Sequence, residues 1–133
     1  MYKRLRFKAI LAGFLIEVAA TFLIEMVLVV IWTPQEDSKK PADEIMRLIY
    51  SNGSHMTTIL VIGSLLSVMG GFIAGKVAKG NEQLNAGAAG VLASVISIAL
   101  YGSTPLGYWV LGLLLTWPSY IMGGKVACRS NQR

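Results

Sequence analysis

Residues 83–124 read QLNAGAAGVLASVISIALYGSTPLGYWVLGLLLTWPSYIMGG, a run of 42 residues without Asp, Glu, Lys or Arg. A helix needs about 20 mostly apolar residues to cross a bilayer, so this run is long enough for two spans. Residues 102–105, GSTP, interrupt it with the Gly and Pro that are typical of a tight turn. We therefore predict membrane spans at about 84–102 and 106–127, joined as a close antiparallel hairpin, with Asn85 as a cap at the start of the first.

Two further apolar segments, at about 9–32 and 57–78, are also long enough to cross a bilayer. The chain has 133 residues, of which 54% are hydrophobic and 14% are charged, whereas about 25% of the residues in a soluble domain are charged. This composition excludes an ordinary soluble enzyme and a nucleic-acid-binding domain. We predict an all-α protein, an integral membrane four-helix bundle that forms one transmembrane domain over residues 1–133.

The basic residues indicate how the bundle is oriented. Nine of the twelve Lys and Arg residues lie before the first span, or at or just after the ends of the second and fourth spans. The other three lie in the long loop 33–56 together with four acidic residues. By the positive-inside rule both termini are cytoplasmic and the loop is on the outer side, which predicts a multi-pass protein of the inner (plasma) membrane. Aromatic residues are expected at the outer interface: Trp32, Tyr50, Tyr101, Tyr108 and Trp109.

Residues 41–50 of the outer loop, PADEIMRLIY, have the pattern of a short amphipathic helix. Pro41 suits a helix start, and acidic residues follow it in the first turn. Ile45, Leu48 and Ile49 share one face by their i, i+3, i+4 spacing. We expect this face to cap the bundle or rest on the membrane surface, with partner binding as the alternative.

The second and fourth spans resemble each other when they are aligned with an offset of 49 residues. Residues 61–78 and 110–127 share eight identical positions in this alignment, and both end in GKVA. Both spans run in the same direction, so the match predicts a parallel repeat of a two-helix hairpin. The alternative is a chance match between two helices that are both rich in Gly, Leu and Val.

Small residues follow each other at four-residue spacing in the later spans, which lets helix backbones approach closely in lipid. Such packing either holds the bundle together or joins it to a second copy in a homo-oligomer. The predicted helix-packing residues are Gly63, Ser67, Gly71, Gly75, Gly90, Gly112 and Gly123.

Glu17 and Glu25 lie inside the first span, with Thr21 between them. An acidic side chain at the centre of a bilayer costs about 2.5–3.5 kcal/mol on insertion scales. One explanation is a proton or cation site formed by Glu17, Thr21 and Glu25. A second is a structural hydrogen bond to a hydroxyl of a neighbouring span, provided by Ser64, Ser67, Thr116 or Ser119. A third is pairing with a basic residue of a partner protein.

Other chemistry-bearing residues are scarce. Cys128 and His55 are each the single residue of their type, so no disulfide and no paired metal-ligand set is expected. We see no pair of a nucleophile and a base and no cofactor motif, and therefore expect no catalytic residue, no metal and no cofactor. These absences favour a protein that is not an enzyme.

Residues 70–78, GGFIAGKVA, resemble a motif of small bacterial four-helix membrane proteins, Gly-Gly-aromatic-x-Ala-small-basic-x-Ala. The resemblance implies an inner-membrane location and a four-span layout, and it assigns no activity. Our leading hypothesis is an integral membrane protein of unassigned, non-enzymatic role, packed through its glycine faces. The alternatives are a small proton- or cation-coupled transporter or channel that uses Glu17 and Glu25, and an accessory subunit of a membrane complex. The expected partners are the lipid bilayer and either a second copy or another membrane protein, but not nucleic acid.

Overall fold

The computed structural model describes residues 5–100, 102 and 104–132. Lys3, Arg4 and Arg133, which contribute to the predicted topology, lie outside the described residues, and so do Tyr101 and Ser103 near the predicted turn. The described part is all-α. Its helices are α1 (Phe7–Trp32), α2 (Ala42–Ser51), α3 (Gly53–Ala78), α4 (Glu82–Ala99) and α5 (Leu106–Asn131), with a 3-10 turn at Gln35–Asp37.

Helix α3 lies at the centre of the bundle, and the other three long helices, α1, α4 and α5, pack against it. Helices α3 and α5 lie side by side, with Gly71 against the backbone of Tyr120 and Gly75 next to Gly124. Both pairs are separated by 49 residues, so the two helices run in the same direction. The offset that aligns their sequences is therefore also the register in which they touch.

Small side chains fill the interior of the bundle, and large apolar side chains cover its outside. The buried apolar residues are mostly alanines, and Tyr120 is the largest fully buried side chain. By contrast, Phe22, Leu23 and Val30 of α1 are between 63% and 76% exposed. This distribution is the reverse of that in a water-soluble protein, in which large apolar residues are the ones most often buried. Helices α1 and α3 are long and apolar enough to cross a membrane.

The close helix contacts lie in the half of the bundle away from α2. A Cβ atom on Gly71 would overlap the backbone carbonyl of Tyr120, and one on Gly123 would overlap the backbone of α3. On the other side of α3, a Cβ atom on Gly13 would lie 2.5 Å from the carbonyl oxygen of Gly70. Substitution of these glycines would therefore force α1 or α5 away from α3.

Gly63 makes no close helix contact within the chain, because nothing apart from its own helix backbone lies within 4 Å of a Cβ placed there. Gly112 makes only an ordinary contact, with 3.7 Å between such a Cβ atom and Leu60 Cδ2. Both glycines belong to the α2 end of the bundle, where the helices stand further apart. Equal spacing along a helix therefore does not mean equal packing.

Helix α2 covers the end of the bundle. Ile49 is buried and, together with Met46, faces Val29 and Ile59. On the solvent side, Lys40 Nζ lies 2.8 Å from an Asp37 carboxylate oxygen and 3.3 Å from a Glu44 one. Ile49 of α2 is thus buried against the end of the bundle, as expected if this amphipathic helix caps it.

The predicted role of Asn85 needs correction. Helix α4 begins at Glu82, so Asn85 lies inside its first turn, where its side-chain nitrogen donates 3.0 Å to the carbonyl of Asn81. Its side-chain oxygen accepts a 2.6 Å hydrogen bond from the backbone N–H of Arg6, at the start of α1. Asn85 therefore ties α4 to α1 instead of capping its own helix.

Candidate cation site

A cavity separates α1 from the other long helices in the half of the bundle next to α2. It consists of two adjoining lobes of about 230 and 460 Å³, both of which are open to the surface of the bundle. Glu17, Thr21 and Glu25 line both lobes. The cavity exists because α1 touches α3 closely near Gly13 and has no comparable contact at Gly63. The three residues predicted as a proton or cation site thus face one space, together with residues that both lobes share: Ser97, Thr104, Trp109 and Thr116.

Glu17 lies at the inner end of this cavity and is held by two other helices. Ser67 Oγ of α3 donates a 2.7 Å hydrogen bond to Glu17 Oε1. Tyr120 Oη of α5 donates a 2.7 Å hydrogen bond to Glu17 Oε2. Ser67 and Tyr120 are both buried. Because each carboxylate oxygen accepts from a different helix, Glu17 joins α1, α3 and α5 at one point.

Three glycines make room for the Tyr120 ring at that point. Gly71 lies against its backbone, a Cβ atom on Gly70 would lie 3.1 Å from its hydroxyl, and one on Gly90 would lie 3.0 Å from its Cβ. Tyr120 was not among the partners predicted for Glu17. The sequence signal that could have found it is the repeat, since Tyr120 in α5 aligns with Gly71 in α3 and a large residue thereby meets a small one.

Of the four hydroxyl residues predicted as partners of Glu17, the structure brings Ser67 to it. Ser64 and Thr116 donate 2.8 Å hydrogen bonds to the carbonyls of Leu60 and Gly112 in their own helices. Hydroxyls in membrane helices often bond to the preceding turn in this way, which removes them as donors to other groups. Ser119 is buried on α5 next to Tyr120.

Glu25 lies two helical turns beyond Glu17, about 12 Å further along the axis at 1.5 Å per residue. Its side chain is exposed and lines both lobes of the cavity. Tyr50 of α2 lies at the same end. Burial raises the pKa of the Tyr50 hydroxyl, a hydrogen bond with Thr104 opposes this shift, and the charge of Glu25 adds to it. The Tyr50 hydroxyl therefore stays neutral at neutral pH.

The cavity contains two carboxyl groups, and no basic residue compensates them among its described walls. No Lys, Arg or His is among the described residues that line either lobe. Among the same described residues, five aromatic side chains contribute to the walls: Phe14, Phe22, Tyr50, Tyr108 and Trp109. Aromatic faces carry partial negative charge and attract cations. The cavity thus combines two carboxylates with aromatic surface, and both favour a positively charged occupant.

A second pocket of about 210 Å³ next to α2 is lined by Trp32, Asp37 and His55. The described residues contain no group of three or more His, Cys, Asp or Glu side chains that could hold a metal ion. The His55 ring stacks on Trp32 at 4.1 Å between ring centres, under α2. Cys128 is a free thiol at the far end of α5.

No protein-family model, curated protein or solved structure matches the chain. The resemblance of residues 70–78 to small bacterial four-helix membrane proteins therefore stays a prediction.

Proposed function

We propose that this chain is a multi-pass inner-membrane protein whose cavity binds protons or other cations and passes them across the membrane. The observation that carries the proposal is the pair Glu17 and Glu25, which face one cavity whose described walls contain no basic residue. In this proposal α1, α3, α4 and α5 are the four spans and both termini are cytoplasmic.

The lengths and surfaces of the helices support four spans. Helices α1, α3 and α5 each have 26 residues and α4 has 18, so at 1.5 Å per residue even α4 is about 27 Å long, close to the hydrocarbon thickness. Large apolar side chains are exposed on α4 and α5 as well as on α1, among them Val95, Ile98, Leu111 and Leu114. Exposed apolar surface on every long helix is what contact with lipid requires.

The charges at the two ends of the bundle support the orientation. The GKVA endings of α3 and α5 lie together because these helices are parallel, so Lys76 and Lys125 are at one end. Helix α2, the acidic 3-10 turn and the cavity are at the other end. The basic end is then cytoplasmic, and the cavity belongs to the outer half of the membrane.

The cost of burying acidic groups supports a cation-binding role. Glu17 is compensated by the hydroxyls of Ser67 and Tyr120. Glu25 faces the same cavity two helical turns nearer to α2. An uncompensated carboxylate in a membrane is expensive unless a proton or cation neutralises it. Glu25, nearer to α2, is therefore the first group that an incoming cation meets, and Glu17 is the deeper one.

Flux measurements in proteoliposomes test this proposal. Purified protein is reconstituted with a pH-sensitive dye inside, and the internal pH is followed after a pH gradient or a diffusion potential is imposed. We expect wild-type protein and Glu36→Gln, a control in the exposed 3-10 turn, to give the same flux, and Glu25→Gln to reduce it to the level of empty vesicles. If Glu17→Gln and Glu25→Gln both retain wild-type flux, the proposal fails.

A further inference from the structure

We infer that the cavity takes an organic ammonium ion with an apolar body, whose charged group lies at Glu25 and whose body lies against Tyr108 and Trp109. This inference rests on the proposed function, because it names the cation that the site would hold. It concerns the outer part of the cavity, between α1 and the first turns of α5.

The size of the cavity argues against a bare inorganic ion as the intended occupant. The two lobes measure about 230 and 460 Å³, whereas one water molecule occupies about 30 Å³ in the liquid. An inorganic ion would therefore need many water molecules to fill the space around it. Sites for small organic molecules commonly measure about 300–1,000 Å³, a range that the two adjoining lobes together reach.

The walls of the cavity suit an apolar body more than a water shell. Leu60 and Leu113 line one lobe, Phe14 and Ile96 line the other, and Trp109 lines both. Water molecules around a hydrated ion would find no hydrogen-bond partner on these apolar side chains. An organic cation instead buries its carbon atoms there, which is favourable in proportion to the apolar area removed from water.

The charge that the site can neutralise indicates a monovalent cation. Both oxygens of Glu17 already accept short hydrogen bonds, from Ser67 and Tyr120. Because these donors partly satisfy Glu17, Glu25 is the carboxylate with more capacity to pair with an incoming charge. The aromatic faces of Tyr108 and Trp109 can share a diffuse positive charge such as that of an alkylated ammonium group. Absence of basic side chains from the described walls disfavours anions.

Equilibrium dialysis of radiolabelled benzyltrimethylammonium against the protein in phosphatidylcholine nanodiscs tests the inference, with empty nanodiscs as the blank. Wild-type protein and Glu36→Gln should bind the probe equally, and Glu25→Gln should bind it at least about tenfold more weakly. Trp109→Leu should weaken binding by about tenfold, whereas Trp109→Phe, which keeps an aromatic face, should stay within about threefold of wild type. Circular dichroism and a single size-exclusion peak check that each variant is folded.

Competition separates this inference from the proposed function. If Na⁺ or K⁺ at 100-fold excess over the benzyltrimethylammonium probe leaves the bound probe in place, an organic cation site is supported. If Na⁺ or K⁺ displaces the probe, the inference of an organic ligand is wrong and the proposed function stands. The same conclusion follows if the probe does not bind while proton or cation flux depends on Glu25. If neither the probe nor any flux depends on Glu25, both are wrong.

Discussion

Alanine substitution at two glycines of the same helix, Gly71 and Gly63, tests how the bundle is packed. The two positions lie eight residues apart in α3 and belong to one stripe of small residues. At Gly71 a Cβ atom would overlap the backbone carbonyl of Tyr120, whereas at Gly63 no atom lies within 4 Å of it. The same added methyl group therefore meets a backbone in one variant and open space in the other.

The expected energies differ in sign. Replacement of Gly by Ala inside a helix gains about 0.8–1 kcal/mol in intrinsic propensity, so Gly63→Ala should leave the free energy of unfolding unchanged or slightly higher. Gly71→Ala has the same gain, but overpacking against a backbone costs about 1–3 kcal/mol and more where neither helix can yield. Movement of α5 would also stretch the hydrogen bond from Tyr120 to Glu17, worth about 1 kcal/mol. We expect the two variants to differ by about 2–4 kcal/mol.

Reversible unfolding in mixed micelles with increasing dodecyl sulfate, followed by circular dichroism, measures this difference. The helical signal gives the unfolding free energy of each variant under identical conditions. A difference below 0.5 kcal/mol between the two variants would show that α3 and α5 do not meet at Gly71, and the packing described above would be wrong.

Three further predictions concern single hydrogen bonds. Tyr120→Phe keeps the buried ring but leaves Glu17 Oε2 without its donor, so the unfolding free energy in the same assay should fall by about 1–2 kcal/mol; no change would mean that the hydroxyl is not engaged. Asn85→Ala leaves a backbone N–H at the start of α1 without its acceptor, and hydrogen exchange followed by mass spectrometry should become faster there, while α5 stays as protected as in wild type. A hydrogen bond from Asn131 is the main reason why the pKa of Glu82 lies below 4.5. This pair therefore stabilises the fold at neutral pH, and the contribution is lost as the pH falls through the lowered pKa of Glu82. Asn131→Ala should raise the Glu82 midpoint in a ¹³C NMR titration, and an unchanged midpoint would contradict the assignment.

The helices could be predicted because their signals are local. Apolar runs and the turn residues that interrupt them gave helix positions within a few residues of α1 and α3 to α5. The amphipathic pattern at Ile45, Leu48 and Ile49 likewise predicted α2. Each of these signals depends on residues that are neighbours along the chain, and the hydrophobic effect acts on them before any tertiary contact forms.

Tyr120 could not be predicted as a partner of Glu17 in the same way, and Ser67 was only one of four candidate hydroxyls. Ser67 and Tyr120 are separated from Glu17 by 50 and 103 residues, and the side of α1 that meets them depends on how the helices cross. The difference between Gly63 and Gly71 has the same origin, because their spacing is equal and only the distance to neighbouring helices separates them. Asn85 also gave no local signal of its bond to α1, since a polar residue near a helix start suggests a cap.

The central claim is that an acid-lined cavity next to α1 admits cations, and the reactivity of a cysteine placed in it tests this most directly. In a Cys128→Ser background, Thr21→Cys faces the cavity and Leu23→Cys is a control on the exposed apolar surface of α1. Both are treated in membranes with a quaternary-ammonium methanethiosulfonate and with its sulfonate analogue. We predict that the cationic reagent modifies Thr21→Cys at least about tenfold faster than the anionic one, with no such ratio at Leu23→Cys. Equal rates for the two reagents at Thr21→Cys, or no reaction there, would contradict a cation-selective cavity.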